Sequence, residues 1–110
     1  FIGESWHDRH LRWTVLFDEG TELVEPTYQR VITVKAVDNV FDVIDNIHED
    51  IQTVGLAMTG EKRLKFANEI MLQGAMRCPD VGYMTHFDSP WDGLFALDRL
   101  VRWVSLGGPI

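Results

Sequence analysis

The chain has one cysteine, Cys78, in 110 residues, so it cannot form an internal disulfide. That fits a reducing compartment, and a cytoplasmic location is expected. No apolar run approaches the ~20 residues a helix needs to cross a bilayer, so no membrane span is expected. The first residues lack a basic region leading into an apolar one, so no signal peptide is expected. Positive charge is scarce: 10 Lys and Arg face 17 Asp and Glu, for a net charge of −7. Such a surface is a poor electrostatic match for nucleic acid or anionic lipid. Neither a G-x-G-x-x-G nor a Walker pattern occurs, so the chain has no glycine-rich phosphate loop of its own. No internal repeat is evident.

What is present suffices for one small domain over residues 1–110. Hydrophobic residues make up 45%, ordinary for a globular chain, and four Trp and six Phe promise aromatic packing. The organising stretch is residues 30–81, which reads β-α-β-α-β. Residues 28–37 are nearly continuously apolar, as in a strand covered on both faces. Asp38 or Asn39 can cap the helix expected over residues 39–50, where Val40, Val43, Ile44 and Ile47 form one stripe. Residues 51–58 read as a second strand, with Gly55 in mid-run marking close approach of another backbone or a ligand. A second helix is expected over residues 60–73. Leu64, Ala67, Ile70 and Met71 lie on one side with Phe66 beside them, Glu61, Lys62, Arg63, Lys65 and Glu69 cover the outside, and Gly74 is a left-handed C-cap. Residues 75–81 form the third strand, limited by Pro79. Alternation of this length implies parallel pairing with helices over the sheet.

Around this unit, residues 1–12 read as a loop or ragged helix, and residues 13–17 as a short strand. Residues 18–27, with Gly20 and Pro26 as breakers, form an exposed excursion. Residues 82–92 are a loop rich in aromatic and polar groups. A last amphipathic helix is expected over residues 93–105, with Asp92 and Gly93 as candidates to cap its start. The fold class is therefore α/β: a β-α-β-α-β parallel-sheet unit plus a C-terminal helix.

Cys78 is the only thiol, yet its strand-like setting has no helix start to activate it, and a packed structural cysteine is the simpler reading. His7, His10, His86, Asp88 and Asp92 have the chemistry of metal ligands but no shared periodicity, so no metal site is assigned. Trp91-Asp92-Gly93 reads first as a turn and helix cap, and second as a substrate-positioning element.

Four short motifs carry a resemblance: Gln52-Thr53-Val54-Gly55-Leu56, residues 77–84, Trp91-Asp92-Gly93, and Leu100-Val101-Arg102-Trp103-Val104. In this order and spacing the chain resembles the C-terminal part of the bacterial long-chain acyl-CoA reductase family. These are the reductases that supply fatty aldehyde in bioluminescence, a branch of the aldehyde dehydrogenase superfamily. The resemblance weakens toward Phe1. It implies the end of an aldehyde dehydrogenase-type catalytic domain, reducing fatty acyl-CoA to fatty aldehyde with NADPH or NADH. It also implies a thioester formed on a cysteine, with N–H donors stabilising the oxyanion and the cofactor delivering hydride.

Cys78 does not match the family's nucleophile, so no catalytic residue is assigned here. The nucleophile and most of the cofactor site are expected in preceding sequence, and the chain alone is expected to be inactive. The resemblance makes Tyr83, Met84, His86, Phe87 and Asp92 candidates for the acyl or aldehyde site. The simpler reading of those loop aromatics is that they cover a core edge. Glu25 sits near where aldehyde dehydrogenases carry a glutamate that touches the nicotinamide ribose, with a spacing one residue too long; a solvated loop acid is the simpler reading. The expected partners are fatty acyl-CoA or fatty aldehyde, the remainder of the reductase, and in principle further copies of the chain as a homo-oligomer. The alternative is a non-catalytic interaction or assembly module that keeps the fold, its acidic and aromatic surface serving a protein partner.

Overall fold

The computed structural model describes residues 3–25 and 27–109. Pro26, expected as a breaker, lies outside the described residues, as do the two residues that open the expected ragged segment. The described chain is mixed α/β, and it divides into two compact units, Phe1–Asn46 and Ile47–Ile110.

The first unit is a three-stranded sheet in the order β1-β2-β3. Strand β1 (Glu4–His7) runs antiparallel to β2 (Thr14–Asp18), and β2 pairs in parallel with β3 (Val31–Lys35). Within the expected loop or ragged helix, Glu4–His7 is instead a strand: it extends because β2 offers it a ladder, a long-range effect no local period records. The connecting turn is built on Asp8. Its Oδ1 accepts from the His10 N–H at 2.6 Å, its Oδ2 accepts from the Arg12 guanidinium, and its carbonyl accepts from the Leu11 N–H at 2.9 Å.

Strand β3 starts at Val31 rather than Tyr28, because Gln29 and Arg30 adopt positive φ (71° and 65°), which no strand can contain. It is also not covered on both faces. Ile32 and Val34 point to an exposed side, while Val31, Thr33 and Lys35 are half-buried. At the end of the β2–β3 register Asp18 stands opposite Lys35, whose ammonium reaches its carboxylate at 2.5 Å and the Gly20 carbonyl at 2.8 Å. Asn39 does cap the next element, its Oδ1 accepting from the Phe41 N–H at 3.2 Å. That element is a 3₁₀ helix, Val40–Asn46, shorter than the expected α-helix.

The second unit holds all the buried residues among those described: Ile47, Leu56, Phe66, Ile70, Ala75 and Arg77. Residues 51–58 and 75–81 run parallel as expected, but through isolated bridges at Thr53–Arg77 and Leu56–Asp80 instead of full strands. Pro79 has no N–H to donate; its carbonyl accepts from the Leu56 N–H at 2.8 Å. Between the two segments runs α1 (Gly60–Leu72). Its buried face is rotated from the expected one. Phe66 and Ile70 are buried, whereas Leu64 is 67% exposed and Met71 is also exposed. Arg63, expected outside, shares the Phe66 and Ile70 face at i, i+3, i+7 spacing.

Helix α1 ends in a Schellman arrangement. The Ala75 N–H donates to the Ile70 carbonyl at 3.1 Å and the Gly74 N–H to the Met71 carbonyl at 3.1 Å, with Gly74 at φ +123°. Gly74 also admits a neighbouring backbone: a Cβ there would lie 2.6 Å from the Glu49 Cα.

The C-terminal helix expected over residues 93–105 is not formed. Only a 3₁₀ turn, Ala96–Arg99, is present. Its N-cap is Phe95, without a side-chain cap bond, so neither Asp92 nor Gly93 caps a helix. Leu97, Leu100, Trp103, Val104 and Leu106 are exposed. An amphipathic segment gains little from helix formation without a surface to bury its stripe against.

Two predictions follow from these contacts. Gly74→Ala should cost more than about 1 kcal/mol in urea unfolding, through both the positive φ and the Glu49 backbone. Asp8 is held below the usual carboxylate value of 3.8 by the His10 N–H and then Arg12; Asp18 is held below it by Lys35 and then the Gly20 N–H. Depressed folded values mean that the unfolded chain binds more protons in the acid range. The stabilisation is therefore complete above the unfolded value and is lost as pH falls from about 4 through the lowered folded values. Urea midpoints measured from pH about 5 down to about 2 should decline, and the decline should be shallower in Asp18→Asn.

Candidate functional site

The loop at residues 82–92 follows the carboxyl end of the 75–81 segment, and one side chain holds it: Arg77, only 8% exposed. A charged side chain inside a strand must bring its acceptors with it. The Arg77 guanidinium donates to the Met84 carbonyl at 3.1 Å, the His86 carbonyl at 2.9 Å and the Thr53 hydroxyl at 3.4 Å. Its Cζ also lies 3.8 Å from the Trp91 ring centroid, a cation–π stack. The planar fork reads the loop backbone bidentately, while its face is closed by the indole.

The loop folds on itself above this clamp. Tyr83 meets the His86 ring edge-on at 6.2 Å, and Phe87 packs against Trp91 at 4.6 Å. Trp91 and Leu94 exchange two backbone hydrogen bonds at 2.9 Å across Asp92 and Gly93, whose φ values are +51° and +72°. This is the I′-type pattern that an Asp-Gly pair favours, so the expected turn at Trp91-Asp92-Gly93 is present. Asp92 Oδ1 is buried and has no hydrogen-bond partner.

The structure therefore brings Tyr83, Met84, His86, Phe87 and Asp92 into one loop. Tyr83 and Phe87 are largely exposed, and Met84 sits against Gly55: a Cβ at Gly55 would lie 2.6 Å from Met84 Sδ. The group against Gly55 is thus a side chain, not the backbone or ligand expected there. Glu25 is exposed in the crossover between β2 and β3 of the first unit. Among the described residues no group of three or more metal-ligating side chains comes together.

A second arginine closes the other side of the parallel pair. Arg63 donates to Asp80 at 2.5 Å, to the Cys78 carbonyl at 3.0 Å and to the Met58 carbonyl at 3.3 Å. A shallow open cleft of about 290 Å³ lies beside it, lined by Leu56, Ala57, Met58, Thr59, Asp80 and Val81. Burial pushes the Cys78 thiol up, with the Arg63 charge pulling the other way. A raised thiol is a poor nucleophile at neutral pH.

Sequence reading passed over both arginines. The available signal was an arginine between Met76 and Cys78 in the 75–81 segment, and the helical spacing of Arg63 to Phe66 and Ile70. The Arg77→Ala variant should unfold about 2 kcal/mol more easily in urea. Hydrogen exchange should then quicken at residues 83–91 and remain unchanged in the middle of α1.

In comparison with known families, the chain matches a family described as acyl-CoA reductase (LuxC), aligned over residues 1–103. No curated protein matches the chain. The match spans nearly the whole chain and names the family that the four motifs resemble. The clamped loop and the parallel pair beneath it thus sit in a chain that belongs to the acyl-CoA reductase (LuxC) family.

Proposed function

We propose that this chain is the C-terminal part of the catalytic domain of an NAD(P)H-dependent fatty acyl-CoA reductase, of aldehyde dehydrogenase type, that yields a fatty aldehyde. The observation that carries this reading is the family match over residues 1–103. The geometry agrees with it. Ligands of parallel α/β sheets bind beyond the carboxyl ends of the strands. Here the loop beyond the 75–81 segment presents Tyr83, Met84 and Phe87, an apolar and aromatic surface suited to an alkyl chain. Tyr83, Met84, His86, Phe87 and Asp92 are accordingly the substrate-side residues of the proposal.

The nucleophile belongs to another part of the enzyme. Cys78 has a thiol raised by burial, and its own carbonyl is engaged by Arg63. The described residues also do not fit a dinucleotide. The strand-to-helix turn before α1 carries a single glycine, Gly60, with open space around it, where a pyrophosphate needs a cradle of closely approaching backbone. Glu25, exposed beside the first unit's sheet, is at most a peripheral contact to the ribose of NADPH or NADH. The exposed apolar residues Ile32, Val34, Leu100, Trp103 and Val104 fit the same reading, since the rest of a catalytic domain would cover them. A cytoplasmic location accords with the lone thiol and with the supply of acyl-CoA.

The test is to read the coding frame upstream of Phe1. The expected result is several hundred further codons that include a cysteine at a strand-to-helix junction. A start codon immediately before Phe1 would overturn the proposal and leave the interaction module as the reading. In the full-length protein, Cys78→Ser should retain acyl-CoA-dependent NADPH oxidation within about twofold. Loss of that activity together with the acyl-enzyme would make Cys78 the nucleophile, contrary to the proposal.

A further inference from the structure

We infer that Arg77 is a positioning residue of the reductase: buried beneath the loop, it fixes where the loop side chains stand against the acyl-CoA substrate. This rests on the reading of residues 83–87 as part of the acyl site.

The loop side chains have little packing of their own to hold them. Tyr83 is 63% exposed and Phe87 81% exposed. Side chains so exposed stand wherever their backbone puts them. The backbone of residues 80–86 makes two successive turns, closed by the Tyr83 N–H on the Asp80 carbonyl and the His86 N–H on the Tyr83 carbonyl, each at 3.0 Å. Those bonds shape the loop; Arg77 attaches it to the segment beneath. Nη1 of Arg77 donates to the Met84 carbonyl at 3.1 Å, and Nη2 to the His86 carbonyl at 2.9 Å. The guanidinium face stacks on Trp91, and Phe87 packs against that same indole. Tyr83 meets the ring of His86. Each of Tyr83, Met84, His86 and Phe87 is therefore tied to one guanidinium, directly or through one neighbour.

This set of partners calls for arginine. Two carbonyls, a hydroxyl and an indole face need a planar cation with several donors in fixed directions. Lysine keeps the charge but has neither the fork nor the flat face. At 8% exposure Arg77 offers a ligand almost no surface, so its effect on substrate runs through the loop. A loosened loop loses binding that substrate and transition state share, which raises KM and leaves kcat alone. A merely structural arginine behaves differently. Its loss lowers the amount of folded enzyme, so the apparent kcat falls while both KM values stay.

The experiment is steady-state kinetics on the full-length protein, following NADPH oxidation with palmitoyl-CoA as the probe. Arg77→Lys should raise the KM for palmitoyl-CoA about tenfold, with kcat within about twofold and the KM for NADPH unchanged. Trp91→Leu removes the stack and keeps both carbonyl bonds. It should raise the same KM about threefold, and it keeps the test usable should Arg77→Lys fold poorly. A palmitoyl-CoA KM that stays at the wild-type value in these variants overturns the inference, whatever happens to kcat, and makes Arg77 a folding residue only. An equal rise in the KM for NADPH also overturns it, because the loop is then not specific to the acyl substrate. Either outcome leaves the proposed function intact, whereas wild-type protein with no acyl-CoA-dependent NADPH oxidation overturns the function itself.

Discussion

The Arg77 guanidinium is the constraint on which the candidate site depends. It is buried, and its donors must be used or their burial is costly. Three oxygens and one indole face supply the partners, and three of the four belong to the loop or to its terminal turn. The loop conformation is therefore a consequence of satisfying a buried cation. Through Thr53 the same group ties the loop to the other half of the parallel pair, so sheet pairing and loop shape are coupled.

Arg63 plays the corresponding part on the far side of the pair. It leaves the first turn of α1 and reaches carbonyls and a carboxylate on both segments. Five backbone hydrogen bonds join the two segments, and the arginine side chains add cross-links at either side of them. The two arginines share one chemistry: a planar cation reading main-chain carbonyls at strand ends, where ladder hydrogen bonds run out.

Much apolar surface is left outside the two compact units' interiors. One face of β3, the Leu64 and Met71 side of α1, and the segment after Ala96–Arg99 all expose large hydrophobic side chains. Isolated exposed hydrophobes are ordinary, but several such patches on a chain this small are not.

Several features could be read from the residues alone. The approximate positions of β2, β3 and α1, a cap at Asp38 or Asn39, the glycine end of α1 at Gly74, the parallel sense of the 51–58 and 75–81 segments, and the family all follow from local periodicity, turn chemistry and short motifs. Those signals are local because a helix period, a cap or a positive φ involves neighbours only a few residues apart. Tertiary structure alone decided the rest. Glu4–His7 became a strand because β2 lay alongside it, and the helical pattern of residues 93–105 stayed largely unformed because it has nothing to bury its stripe against. Arg63 turned inward, and Arg77 gathered acceptors spread between Thr53 and Trp91. No period in the chain encodes these outcomes, because a buried cation is defined by oxygens and ring faces that only the fold brings within hydrogen-bond reach.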